Sequence, residues 1–113
     1  MNTASSGSPT IRAYRPGDER ALVELWEEVF GHAMTEEHWR WKLKHVWCPV
    51  ENVGPAVTED DRPVFHIGGI PCRFHLRGRA GTVMVAVDAM TAPPFRRRGL
   101  LAQVGRHMWE QWR

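Results

Sequence analysis

The most constraining feature of the chain is an abrupt change of pattern over residues 93–104. An apolar, β-branched run at 82–91 ends at two prolines, and a short loop with three arginines and one glycine precedes helical periodicity. This order predicts strand, turn and helix, which leaves the backbone N–H groups of the turn and the first helical turn without partners. With the positive end of the helix dipole and the three arginines, these groups predict a phosphate or pyrophosphate site. Gly99 lets a ligand approach the main chain closely, because it has no Cβ.

Length and composition predict one soluble globular domain. The chain has 113 residues, of which 42% are hydrophobic and 25% charged, and these values are ordinary for such a domain. Residues 1–9 are rich in Ser, Thr, Gly and Pro, which predicts a disordered leader before a folded domain at 10–113. A net charge of +2 is too small to indicate a nucleic-acid partner.

Targeting and redox signals indicate a cytoplasmic protein. No apolar run approaches the ~18 residues of a membrane span, and the N-terminus lacks a basic-then-apolar export signal. The two cysteines, Cys48 and Cys72, fit reduced thiols, with a single disulfide as the open alternative. The six histidines show no spacing typical of a metal site, so we expect no metal.

Periodicity and capping residues predict seven elements. A short strand over 11–14 precedes a helix from an Asp18 cap to Gly31, and Thr35 caps a second helix. That second helix is predicted to reach Pro49, with Val46 and Trp47 on its apolar face. The remaining predictions are a strand at 54–58, a turn at 59–61, a strand at 64–76 made irregular by its glycines, a hairpin loop at 77–81, a central strand at 82–91, and a helix from 99 to the terminus with Leu101, Val104, Met108 and Trp112 inward.

The order strand, helix, helix, three strands and helix is typical of an α+β fold, in which helices flank a mostly antiparallel sheet. Most of the six tryptophans are expected to fill its core, and some to lie on a surface. The carboxylate of Asp88 interrupts the apolar strand at 82–91, where burial is costly without a partner. Asp88 is therefore a candidate general base or, alternatively, a structural partner of an arginine or of the backbone.

Residues 10–113 resemble the N-terminal half of a GNAT-superfamily N-acetyltransferase. The family motif is Arg/Gln-x-x-Gly-x-Gly/Ala, and Arg96-Arg97-Arg98-Gly99-Leu100-Leu101 supplies its first and fourth positions. Leu101 departs at the sixth position, yet this form is similar to the motif of the Eis-like branch. The resemblance implies a GNAT-like mixed sheet that is truncated after the acetyl-CoA motif helix.

The same resemblance implies acetyl-CoA as cosubstrate and an unidentified amine as acceptor, which attacks the thioester directly. A backbone N–H near Thr91 would polarise the thioester carbonyl. The main chain of Ala89, Met90 and Thr91 would meet the pantetheine arm as an added strand does. The pyrophosphate would be held, chiefly through backbone N–H groups, by Arg97, Arg98, Gly99, Leu100, Leu101 and Ala102.

The catalytic residues stay open, with Asp88 as the one candidate. In the GNAT superfamily, which this chain resembles, elements after the motif helix commonly carry a tyrosine that protonates the leaving thiolate. Tyr14 is the only tyrosine of this chain. Two alternatives to an active N-acetyltransferase therefore stand: a non-catalytic truncated fragment and a protein-interaction module. A homo-oligomer or a partner chain that completes the fold is a further expectation, since an unpaired strand edge favours association.

Overall fold

A computed structural model describes residues 9–48 and 50–113 of the chain. The predicted leader falls almost wholly outside the described residues. The elements are β1 (Thr10–Arg12), α1 (Glu19–Phe30), α2 (Glu36–Leu43), β2 (Ala56–Glu59), β3 (Arg62–Leu76), β4 (Arg79–Thr91), a 3₁₀ turn (Pro93–Phe95) and α3 (Leu100–Trp112). Their order and the α+β class confirm the sequence prediction.

The described strands form one antiparallel sheet in the order β1-β2-β3-β4, so that strands adjacent in sequence are adjacent in the sheet. The prediction that 82–91 is a central strand is wrong within this sheet, because β4 lies at its edge and pairs only with β3. Val83 and Val85 of β4 are 48% and 44% exposed. An apolar run thus shows which side chains can be buried, while the pairing partners decide where the strand lies.

Two tight turns connect the last three strands. Asp60 and Asp61 have φ of 52° and 62°, and Arg77 and Gly78 have φ of 52° and 78°. Positive φ at both central residues is the geometry of a two-residue hairpin turn, whose twist matches that of the strands. The loop predicted at 77–81 is therefore too long, because residues 79–81 already pair with β3.

The predicted caps at Gly31 and Thr35 are confirmed, but the predicted length of the second helix is wrong. Asp18 lies at the N-cap position of α1, yet its carboxylate accepts from Arg12 and from the Arg15 N–H and makes no capping hydrogen bond. The left-handed Gly31 closes α1, and its N–H donates to the Glu27 carbonyl over 2.9 Å. The Thr35 hydroxyl accepts the His38 N–H over 3.0 Å at the start of α2. Helix α2 ends at Leu43, whose carbonyl accepts a 2.7 Å hydrogen bond from the Asn52 amide. Trp47, predicted on the apolar face, is 74% exposed.

The helices cover both faces of the sheet. A Cβ at Gly68 would touch Leu43 of α2, whereas a Cβ at the next residue, Gly69, would meet Trp112 of α3. Because neighbouring strand residues point to opposite faces, α2 and α3 lie on opposite sides of β3. The inner face of α3 consists of Leu100, Val104 and Met108, so the predicted inward placement of Leu101 is wrong. Leu100 and Leu101 are neighbours, and either one fits a helical spacing with Val104 and Met108. The sequence pattern therefore did not show which of the two leucines faces inward.

Strands β3 and β4 form a long hairpin whose two halves differ in cover. We call residues 62–69 and 86–91 the near half and residues 70–76 and 79–85 the far half. In the near half, residues 64–69 of β3 and Met90 of β4 are buried, whereas the other near-half residues are partly buried or exposed. No residue of the far half is buried, and Phe74, Leu76, Val83 and Val85 are exposed.

Candidate functional site

A β-bulge interrupts β4 at its covered end. His66 faces Met90 and Gly68 faces Val87, so the single residue Ile67 lies opposite both Asp88 and Ala89. Asp88 has φ of 57°, the left-handed conformation typical of the first residue in one class of bulge. The sequence predicted an irregularity from the glycines of β3, and the structure places the extra residue on the facing strand. The bulge bends the edge strand just before its end.

The end of β4 presents main-chain groups towards its unpaired edge. The Ala92 N–H donates to the Val64 carbonyl over 2.9 Å. Residues of an antiparallel ladder alternate between bonding the neighbouring strand and pointing away from it. The N–H and C=O of Thr91 therefore point to the open edge, whereas those of Met90 point to β3. The guanidinium Nε of Arg96 donates to the Thr91 carbonyl over 3.1 Å, which leaves the Thr91 N–H available.

The loop between β4 and α3 turns a run of backbone donors towards solvent. Arg97 and Gly99 have φ of 63° and 73°, on either side of Arg98. Such alternation of handedness curves successive N–H groups into an anion-binding concavity. Within the described chain, the backbone N–H groups of residues 97–102 donate to no protein acceptor, and the next one, from Gln103, bonds the Gly99 carbonyl. A Cβ at Gly99 would meet no atom within 4 Å, so the approach is open.

The arginines of this loop surround the backbone donors with positive charge. Arg96, Arg97 and Arg98 are all exposed, and the Arg98 guanidinium lies 4.9 Å from the centre of the Phe95 ring. The donors also lie at the positive end of the α3 dipole, which starts at Leu100. The Leu100 side chain is buried while those of Leu101 and Ala102 are exposed, so all three contribute to the loop through their main chain. The arrangement is suited to an anion with several oxygens.

Asp88 forms an ion pair with a residue that the sequence analysis did not single out. The Lys42 Nζ lies 2.7 Å from the Asp88 carboxylate, and both side chains are partly buried. The same Nζ lies 5.3 Å from the centre of the Trp26 ring, whose indole N–H is buried without a described acceptor. No sequence signal could place α2 against the bulge, because that contact depends on how the layers pack. The partner is a lysine, where the sequence had suggested an arginine or the backbone.

Tyr14 is partly buried beside α1 and α2. Its ring packs 5.7 Å from that of Trp39, and its hydroxyl donates to the Glu19 carboxylate over 2.6 Å. Burial, together with this acceptor, raises the pKa of the Tyr14 hydroxyl above its ordinary value. The hydroxyl is therefore held as a donor to Glu19.

The other sequence predictions concern metals, thiols and membranes. Over residues 9–48 and 50–113, no three His, Cys, Asp or Glu side chains lie close enough to hold a metal ion. Cys48 and Cys72 are free, so the disulfide alternative is not realised. Among the described helices, none is long and apolar enough to span a bilayer.

Comparison with known proteins gives one finding. The family model described as an acetyltransferase (GNAT) domain matches residues 10–113, which include every strand and helix described above. No curated protein and no solved structure matches the chain. The match covers almost the whole sequence, and it includes the bulged strand, the arginine loop and α3. The chain therefore belongs to the GNAT acetyltransferase family.

Proposed function

We propose that this domain transfers an acetyl group from acetyl-CoA to an amine. The observation that carries the proposal is the run of backbone N–H groups at 97–102, which have no protein acceptor in the described chain and start α3. Acetyl-CoA is the general cosubstrate of the GNAT family, and its pyrophosphate is an anion of the kind that helix N-termini bind. The RRRGLL form of the loop leads us to place the chain in the Eis-like branch. We further propose that it acts in the cytoplasm, where its free thiols stay reduced.

The pyrophosphate would lie in the concavity of the arginine loop. The backbone N–H groups of Arg97, Arg98, Gly99, Leu100, Leu101 and Ala102 would donate to its oxygens. The exposed guanidinium groups would add positive charge around these donors. Leu101 fits this assignment despite its departure from the family motif, because it would act through its main chain and its side chain is 58% exposed.

The pantetheine arm would run back from the loop along the open edge of β4. Thr91 offers its N–H at this edge. Its neighbour Met90 bonds β3, and Ala89, the residue before Met90, lies at the bulge. The arm would add to this edge as a further strand. The pantetheine arm has the pyrophosphate at one end and the thioester at the other. With the pyrophosphate in the arginine loop, the thioester would lie between Thr91 and the bulge. The Thr91 N–H would then polarise the thioester carbonyl.

The reaction that fits this arrangement is direct attack by the acceptor amine in a ternary complex. The amine nitrogen forms a bond to the carbonyl carbon, the carbon–sulfur bond breaks, and CoA leaves as a thiolate that takes up a proton. The protein contributes by aligning the two substrates and by stabilising the oxyanion. Asp88 is the candidate acceptor for the proton of the amine, although its pairing with Lys42 also fits a structural role.

The binding step is tested by thermal unfolding in the presence of CoA. A hundredfold excess of CoA over its dissociation constant should stabilise the fold by ~2.7 kcal/mol. Gly99→Glu should abolish this effect, because it places a side chain and a negative charge at the phosphates. Gly31→Glu is the matched control, since Gly31 has φ of 79° and open space around it but lies at the far end of α1. A folded protein that does not respond to millimolar CoA would contradict the proposal.

The transfer step is tested by release of CoA thiol with a panel of primary amines. Turnover that Gly99→Glu removes and Gly31→Glu preserves would support an enzyme. CoA binding without turnover of any amine would instead support the alternative of a non-catalytic GNAT domain. Absence of both would leave the interaction module as the remaining function.

A further inference from the structure

The chain uses lysine sparingly, and one lysine lies at the bulge. Of its fifteen lysine and arginine residues only two, Lys42 and Lys44, are lysines. Arginine does not act as an acyl acceptor at neutral pH, because its guanidinium stays protonated. The primary amines of the side chains are therefore confined to the C-terminal end of α2, where Lys44 is the C-cap residue.

Lys42 is directed at β4 by two contacts. Its Nζ lies 2.7 Å from the Asp88 carboxylate and 5.3 Å from the centre of the Trp26 ring. Asp88 directly precedes Ala89, the first of the β4 residues that we assign to the pantetheine arm. The Lys42 side chain keeps 26% of its surface exposed, so it is accessible as well as oriented. The amine thus stands one side-chain length from the strand that we assign to the thioester.

We propose that Lys42 is an internal acceptor, which acetyl-CoA bound to the same chain acetylates. The inference rests on the function proposed above. Asp88 accepts a proton from the Lys42 ammonium, and the freed Nζ lone pair forms a bond to the acetyl carbonyl carbon. The carbon–sulfur bond breaks, CoA leaves as a thiolate, and the nitrogen gives up its second proton to solvent. The proton held by Asp88 passes to the thiolate through solvent, so that one CoA thiol and one proton are released for each amide formed. The product is a neutral amide, which no longer forms an ion pair with Asp88.

Lys44 is a matched control within the same chain. Its Nζ pairs with the Glu51 carboxylate over 2.9 Å and lies 4.9 Å from the centre of the Tyr14 ring. Its side chain is 30% exposed, close to the value for Lys42. Each of the two lysines therefore pairs with its own carboxylate, lies near its own aromatic ring and is similarly exposed. They differ in that only the carboxylate partner of Lys42 belongs to the bulge of β4.

The experiment is a time course with acetyl-CoA in the absence of any other amine, read by peptide mass spectrometry. Positioning should make acetylation of Lys42 at least about 100-fold faster than that of Lys44. The first-order rate should not change with protein concentration, since donor and acceptor are on one chain. Asp88→Asn should slow the acetylation of Lys42 and leave that of Lys44 unchanged. Equal rates at the two lysines, or a rate proportional to protein concentration, would overturn the inference.

Binding is measured in parallel so that the two proposals fail separately. If acetyl-CoA stabilises the fold and Gly99→Glu removes the effect, the assigned cosubstrate site stands, and an unmodified Lys42 then overturns only the internal acceptor. If acetyl-CoA does not bind, both fail. Lys42→Arg should retain the charge opposite Asp88 and acetyl-CoA binding while it removes the modified peptide. Unchanged total acetylation in Lys42→Arg would also contradict the inference.

Discussion

The near and far halves of the β3–β4 hairpin are built from similar residues but have different surroundings. One face of β3 continues from Val64 in the near half to Phe74 and Leu76 in the far half with the same alternation. Val64 is 7% exposed, whereas Phe74 is 41% and Leu76 is 62% exposed. Helix α2 ends at Leu43, which lies over Gly68, so the cover from this helix stops where the far half begins. Packed helices, and not strand composition, decide which half becomes core.

The candidate site lies at the end of the covered half. The bulge at Asp88 and the available N–H of Thr91 are positioned by residues that are themselves buried, including Phe65 and Met90. A catalytic constellation needs such a rigid support, since small displacements are costly for reaction. The far half contributes none of the residues assigned to acetyl-CoA. Substitutions in the two halves should therefore have different consequences.

The largest contrast is expected from removing one phenylalanine ring in each half. Phe65→Ala should cost about 3–5 kcal/mol, because Phe65 is 1% exposed and its loss leaves a cavity. Phe74→Ala should cost less than about 1 kcal/mol, since its ring is already 41% exposed. Urea unfolding measures both values. Similar costs would show that the far half is covered in solution.

A second contrast uses an added methyl group in each region. A Cβ at Gly54 would lie 2.5 Å from the Ile67 carbonyl oxygen, part of the backbone of the near half. We expect Gly54→Ala to cost about 2–3 kcal/mol, because the backbone cannot move aside. A Cβ at Gly81 would lie 2.7 Å from the Phe74 ring, which is exposed and can rotate away. Thermal unfolding should find Gly81→Ala within about 0.5 kcal/mol of the parent protein, and a larger loss would mean that the ring is fixed.

The third contrast concerns acid stability and two histidines of β3. Burial lowers the pKa of His66 to about 4 from 6.5, and its neutral ring donates to the Gly54 carbonyl over 3.1 Å. The unfolded chain takes up this proton below about pH 6.5 and the folded chain only below about pH 4. As the pH is lowered from 7 to 5, the free energy of unfolding should therefore decrease by about 2 kcal/mol.

Two variants isolate this contribution from that of the carboxylates. His66→Gln should flatten the dependence between pH 7 and pH 5, and His75→Gln, in the exposed far half, is the matched substitution control. The measurement is the urea midpoint at each pH. An unchanged dependence in His66→Gln would show that His66 is not buried in the neutral form.

The smallest effect on stability is expected for a valine on the open face of the far half. Val85→Thr should change the free energy of unfolding by less than about 0.5 kcal/mol, because Val85 is 44% exposed. The same change should weaken self-association in light scattering, since exposed apolar side chains promote it. Val64→Thr is the control, and it should lower stability without reducing association. A parent protein that stays monomeric at high concentration would rule out association through this face.

Local structure was predictable where one residue type has one dominant role. Gly31 and Thr35 cap helices as predicted, and the chain turns at Asp60 and Asp61 as predicted, since these choices depend on nearby backbone geometry. The prediction for α2 was wrong at its end because the Asn52 amide, nine residues beyond Leu43, takes the last helical carbonyl. The placement of Leu101 was wrong because two helix faces one residue apart share the same periodicity. A short window of sequence shows neither where α2 ends nor which leucine of α3 faces the core.

The candidate site also has one part that the sequence predicts and one part that it does not. A glycine and three arginines between a strand and a helix predict backbone donors for an anion, and the structure has those donors free at 97–102. This much is local, because an unpaired first turn follows from the helix itself. The Lys42–Asp88 pair was not predictable, since it joins residues 46 positions apart across two layers.

By itself the sequence determined the order of elements, the α+β class, the caps at Gly31 and Thr35 and the loop that precedes α3. Each of these follows from interactions within a few residues, where propensity and hydrogen bonding act without distant partners. Only the tertiary structure decided that β4 lies at the edge of the described sheet, that cover ends near Gly68, and that α2 brings Lys42 to the bulge. These outcomes depend on packing between elements distant in sequence, and the physical reason is that burial is a property of the assembled layers and not of any one strand.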